Sequence, residues 1–238
     1  MNSIVFIDTE IEPKSQKILD IGSVKDNGNS FHSNSIPDFI NFLDGTHFVC
    51  GHNIFNHDLK YIQKAITDAG IIQTNIIDTL YLSPLLFPTK PYHALLKDDK
   101  LQTEDTNNPL NDSIKAKDLF YDEVSIFKKE EEKLKQIFYL LLNNQKEFRS
   151  FFSFIAYKSS ESDTEKVIRG KFQSLICENV NLTKIISDHP IELAYCLALI
   201  NCNSRYSITP PWVLKNYPKV ERLDRKSTRL NSSHTIQS

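Results

Sequence analysis

A chain of 238 residues, 40% hydrophobic and 24% charged, can bury the core of one ordinary domain and carry a smaller appendage, which excludes wholesale disorder. The net charge of −2 declares no basic face for nucleic acid, although a basic groove can hide in a balanced total. Four cysteines (Cys50, Cys177, Cys196 and Cys202) show no CxxC spacing, and there is no secretory h-region or long apolar span. A reduced, soluble, cytoplasmic protein with no membrane contact is expected.

In chain order, SIVFID (3–8) is a β-branched run that reads as a central strand ending at two acids. KILDIGSVK (17–25) alternates as a second strand, and the DNGN stretch is a hairpin signal that lets SFHS (30–33) pair back as a third. Ser35 should cap a short helix through IPDFINFL, closed by Asp44-Gly45, and HFVCG (47–51) reads as a fourth strand. From Asn56 onward Leu59, Ile62, Ala65, Ile66 and Ala69 recur at helical spacing until Gly70 stops them. NIID (75–78) is the fifth strand and TLYLSPLLF (79–87) a helix. Three antiparallel strands followed by strands alternating with helices predict an α/β mixed sheet.

Beyond Phe120 the pattern turns helical. Leu134, Ile137, Phe138, Leu141 and Leu142 form one apolar stripe, Phe148 to Ile155 continue it, 159–165 read as a polar linker, and Pro190 opens a helix IELAYCLALI. The expected division is 1–120, a helical appendage at 121–223, and a tail at 224–238. That tail, DRKSTRLNSSHTIQS, lacks periodicity and resembles a translated sequencing adapter, so it is set aside and the natural chain is expected to continue past Leu223.

The chemistry begins at DTE (8–10). Side chains two apart on a strand share a face, so Asp8 and Glu10 meet at one point. Two carboxylates that close repel unless a proton or cation lies between them, and a divalent cation is the natural answer at this edge of an α/β sheet. A second stretch, CGHNIFNHDLKYI (50–62), puts His52 and Asn53 just after a strand and Asp58 in the first turn of a helix. There the helix dipole favours an acid, so Asp58 is either a capping residue or a third carboxylate near Asp8.

DTE followed by HNIFNHD resembles the DEDD superfamily of 3′–5′ exonucleases over roughly residues 3–120. Where the common form has Phe before the third acid, this chain has His57. The resemblance implies a ribonuclease-H-like mixed sheet flanked by helices, with two Mg²⁺ (or Mn²⁺) ions held by four acids and water activated by a His or Tyr base. Asp8, Glu10 and Asp58 are the first three acids on that pattern, and Thr9, His52 and Asn53 the residues that face substrate. The fourth acid and base have two candidates. HALLKD (93–98) offers His93 and Asp98 at the family's spacing. NPLNDSIKAKDLF (108–120) offers Asp112 with Ala116, Leu119 and Phe120 extending the helical face behind it, although Asn107 cannot be its base. Asp112 is preferred, with His93 able to serve from the preceding segment. Asp78, at the end of NIID, reads as structural.

More narrowly, IDTLYLSPLLFP, KPYHALLKD and NNPLND are similar to the N-terminal exonuclease-like segment of RecQ-family DNA helicases, and ITPPWVLKNYPKV (208–220) to the connector before their motor. The resemblance implies a single-stranded 3′ end of DNA as substrate, RNA as the alternative, and a helicase motor in cis. No GK[ST] phosphate-binding loop is present, so ATP hydrolysis is not expected of these residues. The rival reading is a module that binds nucleic acid or positions the motor without catalysis.

Overall fold

The computed structural model describes residues 3–90, 93, 108–173, 175–176, 179–202, 209–220 and 223. The chain divides into two compact units. The first takes in residues up to 82, the described part of 94–125, and 153–155; the second holds 83–93, 126–152 and the described residues from 156 onward. Among the described residues no helix is long and apolar enough to cross a membrane.

The first unit is built on a five-stranded sheet in the order β3-β2-β1-β4-β5. Strands β1 (Ile4–Ile11), β2 (Ile18–Lys25) and β3 (Ser30–Ser33) form an antiparallel meander, whereas β4 (Phe48–Gly51) and β5 (Ile76–Asp78) add in parallel. This mixed α/β sheet accords with the expected ribonuclease-H-like arrangement. The hairpin between β2 and β3 turns at Gly28, whose φ of 87° is the left-handed conformation that a DNGN turn demands.

Helix α1 (Ile36–Leu43) starts where Ser35 accepts a hydrogen bond from the Asp38 amide, and α2 (Leu59–Asp68) stops before Gly70 at φ 81°. Both pack on one sheet face. Val5 and Ile7 of β1, Ile21 of β2 and Val49 of β4 bury there against Phe39, Leu43, Ile62 and Ile66. Each fully buried aliphatic side chain contributes about 1.5–3 kcal/mol relative to exposure. The opposite face is covered by α4 (Pro109–Lys129), reached after α3 (Thr79–Leu86). There the Phe6 ring packs at a tilt against Phe120 at 5.7 Å and Tyr121 at 5.9 Å, and Phe154 closes edge-on against Phe48 and Phe120.

The second unit is helical, as expected of 121–223. It comprises α5 (Glu132–Leu142), α6 (Arg149–Phe154, of which the last two residues belong to the first unit), α7 (Thr164–Phe172), α8 (Leu182–Asp188), α9 (Pro190–Asn201) and α10 (Pro211–Asn216). Helix α9 is its centre: Leu193 to Leu199 are all buried, so the helix is apolar on every side, and α5 and α8 pack against it.

Three boundaries differ from the sequence expectation. Strand β1 runs through both acids to Ile11, because its ladder with β2 continues past Glu10 after a register shift. Helix α2 begins at Leu59 and not at Asn56, since 54–58 form turns. The expected break at 120/121 falls inside α4, which has no Gly or Pro to stop it before Lys129. The polar stretch at 159–165 is also more than a linker, for Asp163 caps α7 by accepting from the Lys166 amide at 3.0 Å.

Candidate active site

Asp8 and Glu10 lie two apart on β1, both half-buried, on the face that α4 covers. Asp8 stands opposite Gly22 of β2, and Glu10 opposite Asp20. Directly opposed residues of an antiparallel pair share a face, so Asp20 lies on the same sheet face as Glu10. Asp20 forms an ion pair with His32 Nε2 on β3. Sequence reasoning passed over Asp20; the signal was a lone acid in the middle of ILDIG.

The first turn of α4 crosses directly over Gly22. A Cβ there would stand 2.0 Å from the Pro109 carbonyl carbon and the Leu110 nitrogen. Only glycine admits that approach. Asp112 therefore enters in the turn that passes beside Asp8's cross-strand partner, on the helix side shared at four-residue intervals with Ala116 and Phe120, and Phe120 meets Phe6 further down β1. Asp112 is partly exposed, and Lys115 Nζ approaches its Oδ1 to 3.5 Å.

Asp58 is placed differently. It is 1% exposed, makes no capping hydrogen bond to α2, and its Oδ1 accepts from the Thr9 amide at 2.8 Å and the Thr9 hydroxyl at 2.7 Å. The capping alternative is thereby set aside: the carboxylate closes on β1. The His57 ring stands 3.5 Å from the same oxygen. Its proton affinity is raised, first by the hydrogen bond to Asp58 and to a lesser degree by the charges of Asp58 and Asp8, against the opposing effect of burial. Asp8, His57 and Asp58 thus share one negative neighbourhood. Thr9, expected to face substrate, is 4% exposed with its amide and hydroxyl both committed to Asp58.

His52 and Asn53 lie in the loop that leaves β4. His52 Nδ1 shares a hydrogen bond with the Thr79 hydroxyl at 2.9 Å. Asn53 adopts φ 64°, a left-handed conformation that Asn tolerates better than most residues, and its side-chain oxygen accepts from Asn56. Asp78 fixes this loop. Fully buried, it accepts from the amides of Asn53 (2.8 Å), Phe55 (3.1 Å) and Leu80 (3.0 Å), which is the structural role expected of it. Burial pushes its pKa up to about 7 despite those three amides.

In the second unit His93 is 5% exposed and shares a hydrogen bond between Nδ1 and the Ser83 hydroxyl at 2.9 Å. Burial, helped by the Lys90 charge, pulls its pKa down to about 4. Asp98 and Asn107 lie outside the described residues, as does the 224–238 tail.

The donor set on β1 is all carboxylate oxygen, the chemistry that Mg²⁺ and Mn²⁺ prefer. Among the described residues no three of His, Cys, Asp and Glu are gathered closely enough to enclose an ion by themselves. The fold therefore presents a pair of acids, Asp8 and Glu10, on β1, with Asp112 in the first turn of the helix that crosses Gly22. No protein-family model matches this sequence, and no curated protein is similar enough to it to count as a match.

Proposed function

We propose that the first unit is a metal-dependent 3′–5′ exonuclease acting on single-stranded nucleic acid, DNA in the first instance. The observation that carries this reading is the pairing of Asp8 and Glu10 on one face of the central strand, with the first turn of α4 and Asp112 crossing beside them over Gly22. Two divalent ions, when bound, supply charge stabilisation and a water of lowered pKa to such a site. Asp8 and Glu10 would hold them jointly with Asp112, and Asp58 would complete the set. His52 and Asn53, on the loop that Asp78 anchors, would position the 3′ end. The resemblance to RecQ-associated segments extends the proposal to a helicase motor in cis.

His93 favours a second reading. A buried imidazole with a pKa near 4 is a poor acceptor for a proton from water, which suits a module that grips nucleic acid without cutting it. One assay separates the two: Mg²⁺-dependent degradation of 3′-labelled single-stranded DNA and RNA, with Asp8→Ala as control. Shortening from the 3′ end that stops with chelator supports the exonuclease. Binding of the same strands with no shortening supports the module.

A further inference from the structure

We propose that Thr9 is a positioning residue for Asp8 and Glu10, acting through its hydrogen bonds to Asp58; this rests on the metal-site reading above. The need for such a residue follows from the sheet. The parallel ladder between β1 and β4 ends at the Phe6–Cys50 pair, so the part of β1 that bears the acids outruns β4 and, among the described residues, has no strand on that side. On its other side the β2 ladder shifts register immediately after Glu10. The acid-bearing end of β1 is thus held by the β2 ladder on one edge as far as Glu10 and, among the described residues, by no ladder on the other.

Asp58 takes the place of the absent strand. Its Oδ1 receives the Thr9 amide, an outward-facing group that β4 would otherwise have paired, and the Thr9 hydroxyl as well. Both bonds are buried and end on a carboxylate, where a hydrogen bond is worth about 1.5–3 kcal/mol. Thr9 lies between Asp8 and Glu10 in sequence and on the opposite face, so fixing it fixes the pleat from which both acids project. The loop that delivers Asp58 is held in its turn. Gly51 sits beneath the Ile7 carbonyl, where a Cβ would approach to 2.8 Å, and Asp78 binds the Asn53 and Phe55 amides. The side chain in the middle of DTE is therefore turned from solvent because it aims its neighbours.

The test is Mn²⁺ binding to the full chain, read by the loss of the free-ion electron paramagnetic resonance signal, with circular dichroism as the check on folding. Thr9→Val removes the hydroxyl and keeps the shape, whereas Thr9→Ser keeps the hydroxyl. Thr9→Val should fold and bind Mn²⁺ about tenfold more weakly, the usual scale for a group supporting metal ligands, while Thr9→Ser stays within about twofold of wild type. Wild-type affinity in folded Thr9→Val, or equal weakening in Thr9→Ser, overturns the proposal. If Thr9→Val does not fold, Thr9→Ala carries the same comparison; failure of both to fold also overturns it, since the bond would then hold the fold itself. A wild-type chain that binds no Mn²⁺ refutes the metal site and the proposal with it, an outcome distinct from the others.

Discussion

Gly22 and Leu110 approach so closely that one added carbon on Gly22 would stand 2.0 Å from the Leu110 nitrogen. That contact seats α4 on β2 beside Asp8. Because the obstacle is backbone, no rotamer change relieves it. Gly22→Ala should cost at least about 3 kcal/mol, the upper range for overpacking, and should reduce metal-dependent activity by displacing Asp112. Urea denaturation measures the first effect; a variant as stable as wild type would show that α4 is not seated there.

Asp8→Ala and Glu10→Ala should abolish metal-dependent degradation. Each deletion removes one of the paired charges that a divalent cation would need. Wild type should gain about 2.7 kcal/mol when Mg²⁺ exceeds its Kd a hundredfold, and neither variant should respond. Melting curves with and without Mg²⁺ give the comparison.

Asp112→Asn should lower turnover on the order of 100-fold while Asp98→Asn stays near wild type. The contact of Asp112 with Lys115 is partly exposed and worth under about 1 kcal/mol, so the melting temperature should hardly change. Single-turnover degradation of labelled DNA ranks the two variants, and the reverse order would transfer the fourth acid to Asp98.

Asp78 should impose a pH dependence on stability. Its folded pKa of about 7 exceeds the ordinary 3.8, so between those values the folded chain keeps a proton that the unfolded chain has released. The stabilisation is complete below about pH 4 and is lost as the pH rises to about 7. Asp78→Asn should flatten that part of the profile. It should also lower stability by about 1–3 kcal/mol, because an amide nitrogen cannot accept from the Phe55 N–H. Urea melts from pH 4 to 8 check both.

Much of this was legible in the sequence because local rules and tertiary structure agree. The β-branched run at 3–8, the DNGN turn, Ser35, Gly70 and Pro190 each mark an element where the structure has one. The pairing of Asp8 with Glu10 followed from the two-residue period of a strand. What stayed hidden depends on strands and helices meeting. Asp20 comes onto the face of the acids only through the β1–β2 register, and the Asp58–Thr9 bond forms only because β1 outruns β4. Gly22 looks like any strand glycine until α4 crosses it. The α7, α8 and α10 helices are short, and their apolar residues are too few to display a period.

The outer strands of the sheet have a consequence for self-association. On one side β3 is 4 residues long, and on the other β5 is 3. Strands that short expose few backbone donors and acceptors in a row, and β3 carries alternating exposed positions with His32 among them. A second chain finds little template on either rim for edge-to-edge pairing. Either rim of the sheet thus offers poor purchase to another copy of the chain.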